Sequence, residues 1–219
     1  MKEPTKRTFA VAAVVAAIVA HLAAQDVIFD PPIYRSGALP ILPVTAVGGG
    51  EVLLDVTVSS RGMVTAVTPL RETPPFTELF AEAVGGWTFR PARDLGLPSP
   101  SHVMVAVLVR PPALTVPSTL GEPPRDVAVA RADLPVPVTE IPPARPPHAL
   151  RSGVVLIEAR IDTGGRVTRV HVARSAPPYD AAAEDAAWQW KFRAARLRGT
   201  PVPSIGYIVF GFPEIVTRP

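Results

Sequence analysis

Residues 153–212, GVVLIEARIDTGGRVTRVHVARSAPPYDAAAEDAAWQWKFRAARLRGTPVPSIGYIVFGF, lie on residues 50–109, GEVLLDVTVSSRGMVTAVTPLRETPPFTELFAEAVGGWTFRPARDLGLPSPSHVMVAVLV, at a constant offset of 103 without a gap. Of the 60 aligned positions 20 are identical, including Gly62 with Gly165, Pro74-Pro75 with Pro177-Pro178, Trp87 with Trp190, Phe89 with Phe192, Gly96 with Gly199 and Pro98 with Pro201. Gapless agreement that keeps two tryptophans in step is an internal repeat. The 219 residues are therefore read as two small domains, 43–110 and 146–219. The first is the degenerate copy.

The second copy is the clearer of the two. From Val154 to Ile161, small or apolar Val155, Ile157, Ala159 and Ile161 alternate with Glu158, Arg160 and Asp162, the period of a half-buried strand. Asp162-Thr163-Gly164-Gly165 tolerates the positive φ of a tight turn, and alternation resumes from Arg166 to Val172, which makes a β-hairpin. After Pro177-Pro178 the chain changes character. Asp180 is placed to accept hydrogen bonds from the first free N–H groups of a helix, and Ala181 to Ala187 favour helix. Tyr179, Ala183, Ala186, Ala187 and Trp190 form its apolar stripe, with Trp190 and Phe192 burying the largest area at its exit. Gly199-Thr200-Pro201 ends this stretch, and Ser204 to Phe212 is a last apolar strand. The fold class expected is α+β, each copy a β-β-α-β unit with one helix on a small antiparallel sheet. In the first copy the corresponding strands are Glu51 to Val58, Met63 to Val67 and His102 to Val109. Its helix opens at Thr77, and Gly85-Gly86 predicts that it ends a turn early, each glycine costing about 1 kcal/mol relative to alanine.

Outside the repeat, prolines concentrate in Pro31 to Pro43 and Pro111 to Pro147. Missing N–H groups and a fixed φ make these a lead-in, 25–42, and a linker, 111–145. Lys2, Lys6 and Arg7 precede an apolar run from Phe9 to Ala20, and Leu22-Ala23-Ala24 is a small-residue ending. Residues 1–24 are read either as a signal peptide cleaved after Ala24 or as a membrane anchor over residues 8–24. Either reading places the rest of the chain in the periplasm.

Several kinds of chemistry are excluded or unsupported. There is no cysteine, so no disulfide, thiolate ligand or cysteine nucleophile can form. The charge excess of +3 is scattered singly rather than in a stripe, which argues against nucleic acid. His21, His102, His148 and His171 share no metal-ligand spacing. Adjacent Glu184 and Asp185 point in different directions on a helix, and Asp162 belongs to its turn. No cofactor, metal or catalytic group is expected, and the chain is not read as an enzyme. A small sheet must have edges, and the apolar strand Ser204 to Phe212 is expected to present one to an extended partner. Ile205, Tyr207, Ile208, Val209 and Phe210, with Arg151 at the entry, are the candidate partner-binding residues. Gly165, Pro178, Tyr179, Asp180, Trp190, Phe192, Gly199 and Pro201 are the structural motif.

Taken together, Gly153-Val154-Val155, Asp162-x-x-Gly165-Arg166-Val167, Ser175, Pro178-Tyr179-Asp180-Ala181-Ala182, Trp190-Lys191-Phe192 and Gly199-Thr200-Pro201-Val202 resemble the TonB C-terminal domain. The lead-in Pro146-Pro147-His148-Ala149-Leu150-Arg151 is similar to that family's as well. The resemblance covers residues 146–212 well and 43–109 more loosely. It implies a periplasmic protein-binding module that takes outer-membrane receptors by β-strand addition and acts as an energy transducer coupled to ExbB and ExbD. The alternative is a soluble or self-assembling envelope scaffold without motor coupling, in which the modules pair with each other or across a homodimer through their edge strands.

Overall fold

The computed structural model describes residues 29–43, 49–110, 132–147 and 149–215. The segment 1–24, His21, His148 and most of the stretch read as linker lie outside the described residues. Among the described residues no helix is long and apolar enough to cross a membrane.

Two short strands, β1 (Phe29–Asp30) and β2 (Ile33–Ser36), precede a hairpin of β3 (Gly50–Val58) and β4 (Val64–Arg71), then helix α1 (Phe76–Gly85). Three short strands follow, β5 (Thr88–Arg90), β6 (Ala92–Asp94) and β7 (Leu97–Ser99), and then the long β8 (Ser101–Val109). The second half runs β9 (Val136–Thr139), β10 (Gly153–Ile161), β11 (Val167–Arg174), helix α2 (Asp180–Trp188), β12 (Lys191–Arg193), β13 (Arg196–Leu197), β14 (Thr200–Pro201) and β15 (Ser204–Phe212). The fold is α+β.

The six long strands form one sheet in the order β11-β10-β15-β8-β3-β4. Every neighbouring pair is antiparallel except the central one, where β15 runs parallel to β8 with Gly206 to Gly211 beside Met104 to Val109. Joining two equivalent strands in parallel turns the second copy over, so the helices cover opposite faces. On one face Ala183, Ala186 and Ala187 of α2 pack with Val155, Ile157 and Ala159, and with Leu53, Met104, Ala106 and Leu108 from the first copy. On the other, Phe76, Phe80 and Val84 of α1 pack with Val52, Leu54 and Val56, and with Leu156, Ile205, Tyr207 and Val209 from the second. Each copy thus completes the core of the other, which is why all nine residues of β15 are buried. A strand covered on both faces reads as a continuous apolar run rather than as alternation.

Local chemistry accounts for the conserved geometry of the two copies. Gly62 and Gly165 have φ of +82° and +81°, and a Cβ there would lie 1.9 and 1.8 Å from the carbonyl oxygens of Phe89 and Phe192. Only glycine allows this approach, which lets the Phe89 and Phe192 N–H groups each donate at 2.8 Å to the glycine carbonyl. Asp162 Oδ1 accepts from the N–H groups of Gly164 and Arg166, closing the hairpin turn. Each copy has a cis Pro-Pro bond just before its helix.

The two separate small antiparallel sheets expected, one per copy, are instead halves of one six-stranded sheet whose central pair is parallel, because each core draws side chains from both copies. Three local expectations change as well. Helix α1 continues through Gly85 instead of ending early, because Val84 is fully buried and the packing of the last turn outweighs the glycine penalty. Asp180 does not cap the first turn of α2; its carboxylate turns back and accepts from Ala176 N–H and Ser175 Oγ, fixing the approach to the helix. The proline-rich stretches are not only connectors. Within them β2 pairs with β5 and β9 with β12, and Trp87 and Trp190 donate their indole N–H to Ala38 and Ile141, at 3.0 and 2.9 Å. Ala38 and Ile141 are also 103 apart, so the repeat extends into the lead-ins. A two-stranded pairing leaves one side of each strand unbonded, and there the missing N–H of proline costs nothing.

Candidate protein-interaction site

The strand expected to carry an open edge has none. β15 is paired along its whole length with β10 and along Gly206 to Gly211 with β8. Its candidate residues all lie inside: Ile208 and Phe210 on the α2 face, Ile205, Tyr207 and Val209 on the α1 face. Tyr207 is enclosed by first-copy groups. Its hydroxyl donates to the Pro32 carbonyl at 3.1 Å and accepts from Tyr34 N–H at 2.8 Å, and burial pushes its ionisation well above the ordinary tyrosine range. The expectation of a free edge at Ser204 to Phe212 is thereby corrected, because the equivalent strand of the first copy occupies it.

Arg151 is exposed, and its carbonyl accepts from the Tyr179 hydroxyl. Tyr179 stacks on Phe212 with ring centroids 4.2 Å apart. Trp190 and Phe192 are buried beside each other, with Trp190 edge-on to Phe210. Pro178 is in the cis bond before α2, Gly199 (φ +84°) with Arg198 forms the β13–β14 turn, and Pro201 lies in β14 opposite Arg196. Among the described residues no group of three or more His, Cys, Asp or Glu side chains could hold a metal. His102 Nδ1 lies 2.8 Å from Asp55 Oδ1, a cross-strand pair between β8 and β3.

The sheet does have two outer edges, β4 and β11, and among the described residues no strand pairs with the far side of either. They differ in chemistry. β4 contains Pro69, which has no N–H to offer, and its single charge, Arg71, lies against Glu51 of β3 and 3.6 Å from Glu140. β11 carries Arg169, His171 and Arg174 and no proline. Sequence reasoning placed both strands but not their position as outer edges, since alternation states which face is buried and not which neighbour is missing.

Glu140 belongs to the second lead-in, so the Glu51–Arg71–Glu140 cluster ties the copies together. Burial pushes the Glu140 carboxyl up to about 7 from an ordinary 4.5, with the Arg71 guanidinium opposing the shift. The cost of desolvating the carboxylate outweighs the attraction of the guanidinium, so the protonated acid is favoured. The folded state binds this proton more tightly than the unfolded chain does. Its contribution is therefore full below pH 4.5 and is lost as pH rises through 7, a change on the order of 3 kcal/mol. Urea unfolding at pH 5 and pH 8 should show the loss, and Glu140→Gln should remove most of it; an unchanged difference in that variant would assign the slope to other groups.

Residues 143–212 match the sequence profile of the Gram-negative bacterial TonB protein C-terminal family. The match covers the second copy. No curated protein matches the chain.

Proposed function

We propose that the chain is a TonB-like, non-enzymatic protein of the bacterial periplasm that binds partner proteins by strand addition at the outer edges of its sheet. The observation that carries this reading is the sheet order: the inner edges of the two copies close on each other, so that among the described residues the six-stranded sheet offers its backbone donors and acceptors to an extended partner at β4 and β11. Opening the central pair instead would expose the apolar side chains of β8 and β15 on both faces, an unfavourable exchange for one added strand. The pairing of the modules with each other favours the scaffold reading, in which the two copies act as one unit.

The family match favours a second, finer reading, energy transduction to outer-membrane receptors with ExbB and ExbD as partners. That reading requires residues 1–24 to persist as an anchor. Envelope fractionation with intact-mass measurement separates the two: a full-length membrane species supports the transducer, and a soluble species beginning at Gln25 removes coupling through the chain's own helix. The site itself is tested with a photo-reactive residue at Ala66 on β4, Thr168 on β11 or Val209 on β15. Adducts with envelope proteins are expected from the outer-edge positions. Adducts from Val209 alone would mean that the copies part to bind, and would overturn the edge assignment.

A further inference from the structure

We infer that the outer edge of β11 takes an extended acidic polypeptide segment as a seventh strand, its carboxylates meeting the arginines that line that edge. This rests on the strand-addition reading above and adds which edge is used and by what kind of partner.

Across the β10–β11 pair, Arg160 stands opposite Arg169, Glu158 opposite His171, and Leu156 opposite Arg174. Irregularities in register between Leu156 and Ile157 and between Arg160 and Ile161 keep Arg169, His171 and Arg174 on the face that Leu156 shares with α1. Arg90 of β5 reaches the same group from the first copy, since with Arg160, His171 and Arg169 it draws on the Glu158 carboxylate. Arg90, Arg160, Arg169, His171 and Arg174 are all exposed, whereas Glu158, the acid among them, is 8% exposed. Burial raises the Glu158 carboxyl despite its basic neighbours, and this single acid stands among four arginines and a histidine. The result is a cationic row beside an unpaired backbone.

The first copy provides an internal control. At the positions 103 earlier, Arg160, Arg169 and His171 correspond to Thr57, Ala66 and Thr68. Arg71, the counterpart of Arg174, is already held by Glu51 and Glu140. Pro69 interrupts the N–H row of β4, whereas β11 has a complete one. Charge on an edge strand also guards against self-pairing. A guard, however, needs no cations on β10 or β5, and Arg160 and Arg90 lie there. Arg169 and His171 are two residues apart on one face, the spacing at which alternate acidic side chains of an added strand would meet them.

The test uses the full chain and three labelled ten-residue peptides: alternating Glu and Val, the same with Gln for Glu, and the Glu peptide with a central proline. Binding is followed by fluorescence anisotropy, and location by amide hydrogen exchange. At low salt the Glu peptide should bind roughly ten-fold more tightly than the Gln peptide and protect β11 amides, and 0.5 M salt should erase the advantage. In R160T/R169A/H171T, which carries the first-copy residues at exposed positions, the Glu and Gln peptides should bind equally. Equal binding of the two to the unaltered chain overturns the acidic preference and leaves strand addition standing. Equal binding of the proline peptide means a polyanion surface without an added strand. If no peptide binds either edge, strand addition falls with it, and self-association of the triple variant would then mark the arginines as guards.

Discussion

Replacing Tyr207 with alanine is expected to lower the unfolding free energy of the whole chain by about 3–5 kcal/mol, the cost of emptying an aromatic site in a packed core. Tyr207 belongs to the second copy, yet its ring lies 5.6 Å from Phe89, 6.4 Å from Tyr34 and 6.5 Å from Trp87, all of the first. The substitution removes packing from the first copy and deprives Tyr34 N–H and the Pro32 carbonyl of their partner. Tyr207→Phe keeps the ring and loses only the hydroxyl, so it should cost about 1–3 kcal/mol. Urea unfolding followed separately at each copy by amide hydrogen exchange should give one coincident, shifted transition. Two separated transitions would show that the copies fold independently and that their shared core is weaker than its geometry indicates.

The larger effect is expected on separating the copies. Residues 132–219 expressed alone should not form a stable monomer. Without the first copy, Leu156, Ile205, Tyr207 and Val209 lose their cover, and β15 presents an unpaired edge beside an uncovered apolar face. Such a fragment either unfolds or pairs with itself through β15, restoring a six-stranded sheet from two identical halves. Sedimentation velocity and circular dichroism distinguish these from a folded monomer, and a folded monomer would contradict the mutual dependence of the two cores. The outer edges should behave differently, since among the described residues no strand pairs with the far sides of β4 and β11 in the intact chain, and both strands carry polar or charged residues.

Much of the fold was legible because its signals are local. The strand Val154 to Ile161 and the Asp-x-Gly-Gly turn are properties of a few neighbouring residues, and both appear where those residues place them. The strand is not half-buried as its alternation predicts, since Leu156 and Glu158 on its other face are covered too. Local signals also misled. The two glycines after Val84 argued for a short helix, yet a fully buried valine holds that turn. Asp180 looks like a helix cap by position, whereas its carboxylate is engaged with Ala176 and Ser175.

The candidate site was less legible because an edge is defined by what does not pair with it. One trace of the answer was present in SIGYIVFGF: a strand with one solvent face would alternate, and this one is apolar throughout, as a strand covered on both faces should be. From the sequence by itself came the repeat, the periods of its strands and helices, and the glycines its turns require, because each depends on bonded geometry or on residues a few positions apart. Only the tertiary structure decided that the last strands of the two copies lie side by side in parallel, that each copy roofs the other's core, and that β4 and β11 are left as edges. Those facts follow from burying apolar surface between segments about 100 residues apart, a long-range choice that no short pattern encodes.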